Sequence, residues 1–229
     1  MAWIDKHTSK LALTLLLTAL ACGAPAYGAK HGGERSEGEP GRFDYYAVAL
    51  SWSPAFCATH DDPRQCAPGR QAGFVLHGLW PQYQRGYPQS CSNEPLSDAD
   101  AARYSALYPS PTLIEHEWRK HGTCSGLPPP AYFALSARLV EQLRIPAAYM
   151  RPAQALRSSY GDFIGAFRAA NPRLPDNAVL PFCAAGGRFL SEIHACYDKA
   201  GTPLTCGAAE VRRSQNTCRQ DSFLIQSVR

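Results

Sequence analysis

The sequence predicts an α+β fold stapled by disulfides, and three observations carry that expectation. Strand-like segments lie at both ends of the folded region, around a cluster of helical ones, without the regular strand–helix alternation of a parallel sheet. The cysteines are numerous, nine in 229 residues. Hydrophobic residues make up 45% of the chain, enough for a sizeable core, against 18% charged,. No internal repeat is visible.

Taken in order, residues 1–26 read as an export signal. Lys6 and Lys10 precede an apolar run from Leu11 to Cys22, and Ala24-Pro25-Ala26 offers small residues for cleavage. The run is too short for an ordinary membrane span and no other stretch qualifies, so a periplasmic or secreted protein without a membrane span is expected. A lipid-anchored start at Cys22 is a lesser alternative, since Ala19 stands where such signals usually carry leucine. Cleavage lowers the formal charge from +4 to +3 by taking Lys6, Lys10 and Asp5. So mild a charge excludes a protein held to nucleic acid by overall electrostatics. Cys22 also leaves, and the remaining even set reads as disulfides in an oxidising compartment, with on the order of a hundred possible pairings.

Residues 27–42, rich in Gly, Glu, Lys and Arg, read as a disordered lead-in, with one domain over 43–229,. Tyr45–Trp52 is strand-like and is stopped by Ser53-Pro54,. Gly73–Leu76 is a second strand running into His77-Gly78-Leu79-Trp80-Pro81, which places His77 at a strand end beside a rigid turn. Residues 82–111 are turn-rich. A helix is expected over Thr112–His121, capped by Ser110 or Thr112 and stopped by Gly122,. Another covers 131–144, with Leu135, Leu139, Val140 and Leu143 on one face and Pro146 closing it. In a third, over 159–170, Tyr160, Phe163, Ile164 and Phe167 recur at helical spacing, a stripe read as core,. Strand-like sequence returns at Arg188–Tyr197 and Ser222–Val228.

The segment richest in chemistry is His116-Glu117-Trp118-Arg119-Lys120-His121-Gly122-Thr123-Cys124. At roughly 100° per residue, with His116 at the origin, Lys120, Glu117 and His121 fall at about 40°, 100° and 140°. Two imidazoles, a carboxylate and an ammonium thus share one helix face, while Glu115, Trp118 and Arg119 point elsewhere. A zinc-hydrolase motif would need histidines four apart. Here the fourth residue after His116 is Lys120, a poor ligand that would repel the ion, so no metal is expected. A solvated face held by Glu117–Lys120 pairing is the bland alternative.

Two segments together decide between these. Phe74-Val75-Leu76-His77-Gly78-Leu79-Trp80-Pro81 and His116–Cys124 resemble the paired active-site segments of the T2 family of ribonucleases. Ala49–Cys57 is similar to the family's opening strand, and Leu190–Cys196 to a late strand bearing a disulfide cysteine. The resemblance runs from about Phe43 to the C-terminus. It implies a mainly antiparallel central sheet with flanking helices. It further implies a metal-independent endoribonuclease that uses no cofactor, and broad base tolerance is expected of it.

In such an enzyme the ribose 2′-hydroxyl attacks the neighbouring phosphate. A 2′,3′-cyclic phosphate forms and is then hydrolysed to a 3′-phosphate. The resemblance implies His121 as base and His77 as acid in the cleavage step, with reversed roles in the second; imidazoles titrate where both tasks need them. Glu117 and Lys120 match the pair that stabilises the pentacoordinate phosphorane, and His116 matches a phosphate-binding histidine. Trp80 is either a base-stacking platform or a buried turn tryptophan. Gln82 stands where some members carry a base-choosing aspartate. Outside this set, His60 and His194 are expected to be surface or structural. The resemblance also implies Cys91–Cys124 and Cys183–Cys218 as pairs, with Cys196–Cys206 and Cys57–Cys66 as the remaining expectation. RNA is the expected partner, DNA is not expected to be cut, and a monomer is expected. A catalytically silent RNA-binding or inhibitory protein on the same fold is the alternative.

Overall fold

The computed structural model describes residues 37–228. The export signal and residues 27–36 of the lead-in lie outside the described residues. Residues 37–42 correct the lead-in expectation. Glu37 bridges Gln89, the Gly41 amide donates to the Cys124 carbonyl at 2.9 Å, and Gly38 packs against Pro88 and Cys91. Backbone pairing and a glycine contact hold this stretch where apolar side chains are lacking.

Among the described residues the elements run β1 (Tyr45–Trp52), α1 (Ser53–Phe56), α2 (Pro63–Cys66), β2 (Phe74–Gln82), α3 (Asp98–Tyr104), α4 (Pro111–Lys120), α5 (Pro129–Gln142), α6 (Ala147–Met150), β3 (Leu156–Ser158), α7 (Tyr160–Ala170), β4 (Val179–Ala184), β5 (Phe189–Tyr197), α8 (Ala208–Thr217) and β6 (Phe223–Ile225). One sheet in the order β2-β1-β5-β6-β3, with β4 also on β5, is antiparallel except for the β5–β6 contact.

The two faces of β1 differ because its side chains alternate. Tyr46, Val48, Leu50 and Trp52 enter the main core with Trp118, Tyr132, Phe133, Phe163 and Phe167. Phe163 and Phe167 are wholly buried, so the aromatic stripe of α7 is core; each such side chain contributes about 1.5–3 kcal/mol,. The opposite face carries Tyr45, Ala47, Ala49 and Ser51, and a smaller cluster forms there around Leu180, Phe182 and the Cys196–Cys206 pair. Small residues on this face leave room above β1 for larger groups from its neighbours.

The helix starts follow side-chain caps. Ser110, Ser159 and Ser97 accept from Leu113, Asp162 and Asp100 amides at the N-termini of α4, α7 and α3,. Tyr132 on α5 donates to the Leu79 carbonyl at 2.7 Å, fastening the helical layer to β2. All four expected disulfides are present: Cys57–Cys66, Cys91–Cys124, Cys183–Cys218 and Cys196–Cys206.

One local expectation is overturned. His77 sits inside β2, with Trp80 and Pro81 further along the same strand, instead of at a strand end. Proline is tolerated because β2 is an edge strand, where its missing N–H breaks no ladder bond,.

Candidate active site

The pairing of β1 with β2 explains how His77 reaches the site. Ala49 opposes Gly78 and Leu50 opposes Leu76, so His77 is the extra residue of a β-bulge. A bulge locally re-aims side chains. Here Leu76 stays in the core while the His77 ring turns to the small-residue face and places Nδ1 2.7 Å from Glu192 Oε2. Beyond the bulge, Trp80 and Gln82 oppose Ala47 and Tyr45, which brings them to the same face,.

Helix α4 forms the facing wall. Trp118 anchors it, donating to the Glu94 carbonyl at 2.8 Å and packing on Tyr132 and Phe133. The Cys91–Cys124 bond and the Ser90 amide, which donates to the Lys120 carbonyl at 2.8 Å, hold its C-terminal end. His121 is the C-cap, one residue beyond the last helical position. Its backbone N–H still bonds the Glu117 carbonyl, so the face read from the sequence persists. His116, Glu117, Lys120 and His121 all line one cleft of about 390 Å³ with His77, Trp80, Gln82, Tyr87 and Glu192.

Trp80 joins the two walls. Its indole N–H donates to Glu117 Oε2 at 2.6 Å, and its ring stacks on His121 with centroids 5.1 Å apart. The His77 ring meets its edge at 4.9 Å. A methyl group on Gly78 would collide with both Glu117 and the Trp80 nitrogen, so this close approach depends on glycine.

The electrostatics separate the two imidazoles. Burial pulls the His77 imidazolium down, but the hydrogen bond and charge of Glu192, with the charge of Glu117, leave it above the ordinary histidine value. His121 has no such partner: its Nδ1 is buried without a hydrogen bond. Burial, followed by the charges of Lys120, His116 and His77, pushes it down to about 2. Burial also lifts Glu117 to about 7, against the pull of His77, the Trp80 hydrogen bond and Lys120. Its Oε1 has no hydrogen-bond partner and lies 3.8 Å from His77 Nε2.

Every expected site residue therefore lies in this cleft. Gln82 is buried at its edge. His60 is exposed, and His194 is wholly buried beneath the site. Glu192, Glu210, Arg213 and Tyr87 also line the cleft and carried no signal individually. The available signal for Glu192 was alternation: polar Glu192 and His194 fall two apart, on one face of a mostly apolar strand,.

Comparison with known proteins adds the family context. A family model described as Ribonuclease T2 family matches residues 43–206. A ribonuclease of Aeromonas hydrophila is 42% identical over 201 residues, covering 85% of this chain and 91% of that one. Ribonuclease I of Escherichia coli (strain K12) is 27% identical over 224 residues, covering 73% and 81%. Among solved structures, an RNase-related protein from Calystegia sepium superposes with a TM-score of 0.64 at 18% identity, covering 82% of this chain and 98% of that one; it speaks to fold alone. RNase NT in complex with 5′-AMP superposes with a TM-score of 0.55 at 25% identity, covering 72% and 91%.

Proposed function

The chain belongs to the ribonuclease T2 family and is a ribonuclease, and on that premise we propose that it cuts single-stranded RNA internally, with His121 as base and His77 as acid. His121 takes the proton of the 2′-hydroxyl, and the freed oxygen attacks phosphorus. His77 gives its proton to the departing 5′-oxygen. The 2′,3′-cyclic phosphate is then opened by water with the two roles exchanged, leaving a 3′-phosphate.

The contrast between the two imidazoles carries this reading. A base needs a lone pair and an acid a proton at the working pH, and environments that push two such groups apart assign the roles. His121, buried among cations, keeps its lone pair, whereas His77, facing Glu192 and Glu117, keeps its proton.

Charge that builds on the phosphorane meets Lys120 and Glu117. Fixed cations and donors aimed at developing negative charge stabilise it most when water is excluded. Glu117, lifted to about 7, carries its proton part of the time near neutrality and can then donate to a phosphoryl oxygen. His116, in the same cleft, suits the phosphate. Tyr87, 47% exposed at the mouth, offers a ring for a base to stack on,. Trp80, with one face on His121 and its N–H on Glu117, walls the pocket and positions both. Gln82 brings a neutral amide, consistent with broad base tolerance.

Each step has a protein group to perform it, so the proposal invokes no metal, and all the groups come from one chain. Four disulfides favour an oxidising compartment, periplasmic or extracellular,. Among the described residues no helix is long and apolar enough to cross a membrane. The test is a DNA oligonucleotide bearing a single ribonucleotide, digested in EDTA. Cleavage only after the ribose is expected. Cutting at deoxyriboses, or loss of activity in EDTA restored by zinc, would contradict the proposal.

A further inference from the structure

Along one wall of the cleft, and beneath it at His194, runs a row of ionisable groups that the cleavage steps do not touch. Glu192 Oε2 sits 2.7 Å from His77 Nδ1 and accepts from Ser51 Oγ at 3.3 Å. Its other oxygen, Oε1, lies 2.6 Å from His194 Nε2. His194 Nδ1 in turn lies 2.5 Å from Glu210 Oε1. Arg213 closes the row, donating to both Glu210 oxygens at 2.6 and 3.0 Å. Two elements supply it: β5 places Glu192 and His194 on the face toward the site, and α8 carries Glu210 and Arg213 at helical spacing.

His194 reveals the charge state of the row. A neutral imidazole has one N–H and one lone pair, so it can satisfy a carboxylate at only one of its nitrogens. Both nitrogens of this ring face carboxylate oxygens, and the ring is 1% exposed. A lone pair held against a carboxylate without water would be repulsive, so the ring is an imidazolium donating at both ends. The charges then alternate from Arg213 through Glu210, His194 and Glu192 to His77. Among the described residues, Glu117 on α4 also faces His77, the His121 imidazole interacts with it through its charge, and His116 and Lys120 line the same cleft. Phe182 and the Trp80 edge close around the His194 ring.

We propose that Glu192, held by His194 with Glu210 and Arg213 behind it, is a positioning residue that fixes His77 as the proton donor with Nε2 turned to the departing oxygen. This rests on His77 being the acid of the cleavage step. An ionised Glu192 can accept the Nδ1–H, which orients the ring and leaves Nε2 on the side of Glu117 and the cleft. The electrostatic directions agree: Glu192 is held well below the usual carboxylate range by hydrogen bonds that outweigh its burial, and His194 is raised by its two carboxylates despite its burial.

The test compares two substrates that differ in leaving group. Uridylyl-adenosine releases an alkoxide that needs a proton, while uridine 3′-(4-nitrophenyl phosphate) releases an aryl oxide that does not. For Glu192→Gln, kcat on the dinucleotide should fall about 10- to 100-fold with KM little changed, a part of what general acid catalysis contributes. The aryl ester should be cut at nearly the parent rate, and the alkaline limb of the dinucleotide profile should move to lower pH. Glu192→Asp, which keeps the charge but draws the carboxylate back from Nδ1, should move that limb the same way by less; it decides the matter if Glu192→Gln does not fold. An unmoved limb in the folded variants, or equal slowing of both substrates by Glu192→Gln, would overturn the proposal. His77→Ala serves as the reference. If it too slows both substrates equally, the assignment of His77 as acid has failed, and not the role of Glu192 alone.

Discussion

The indole N–H of Trp80 donates to Glu117 Oε2 at 2.6 Å and so links the edge strand to the helix across the cleft. It is the only hydrogen bond that the described structure gives this buried carboxylate, whose other oxygen has none. Trp80→Phe keeps a ring against His121 but removes the donor. Stability should fall by about 1–3 kcal/mol, the cost of an unsatisfied buried polar group. Activity should fall with it, because the donor that holds the Glu117 carboxyl in place in the cleft would be gone. Urea unfolding and kcat measured on one preparation check this; unchanged values in both would show that the bond contributes nothing.

Gly78 is the second point at which the two walls touch. Gly78→Ala would drive a methyl group into Glu117 and the Trp80 nitrogen, so both activity and stability should drop. Gly165→Ala on α7 is the control, since nothing lies within 4 Å of the added carbon. There the better helix former should raise stability by about 0.5–1 kcal/mol. Thermal melts of both variants make the comparison.

The buried His121 ring should reveal itself in the pH dependence of stability. Its folded value, about 2, lies far below the ordinary value of about 6.5,. Below pH ~6.5 the unfolded chain therefore binds a proton that the folded chain refuses, and acidification destabilises the fold through this group. Glu117 acts oppositely over part of the same range, so the informative quantity is a difference between proteins. His121→Gln should gain stability relative to the parent as pH falls from about 7 to 5. A constant difference in melting temperature across that range would contradict the assignment of a depressed value.

Disulfides of unequal reach should matter unequally. Cys91–Cys124 spans 33 residues and holds the end of α4, whereas Cys57–Cys66 spans 9. Replacing the first pair by alanines should cost about 2–4 kcal/mol, and replacing the second should cost less, as loop-closure entropy requires. The first should also lower kcat, because α4 and its C-cap carry four of the cleft residues. Equal losses of stability with undiminished kcat would show that this end of the helix needs no staple.

The sequence made the locally encoded parts legible. The apolar strand-like run of Tyr45–Trp52, the aromatic stripe of Tyr160–Phe167 and the four polar groups of His116–His121 each follow from local composition or a short-range period. The pairing of His77 with His121 was legible through family resemblance rather than through any spacing. Features set by distant contacts stayed hidden. The bulge at His77 exists only in the register with Ala49, and Glu192 meets His77 across 115 residues. Pro181 disguised β4, whose ladder on β5 tolerates it, and α8 has few apolar residues to mark its inner face. His194 looked like an isolated histidine because both of its carboxylates come from the fold.

The central claim is proton transfer between His121 and His77 through a cyclic intermediate. A time course of dinucleotide cleavage followed by phosphorus NMR tests it most directly. The 2′,3′-cyclic phosphate should appear first and decay into the 3′-phosphate, and His77→Ala and His121→Ala should each slow its appearance by about 10²- to 10⁴-fold. Formation of a terminal phosphate with no cyclic precursor at any time would contradict the account.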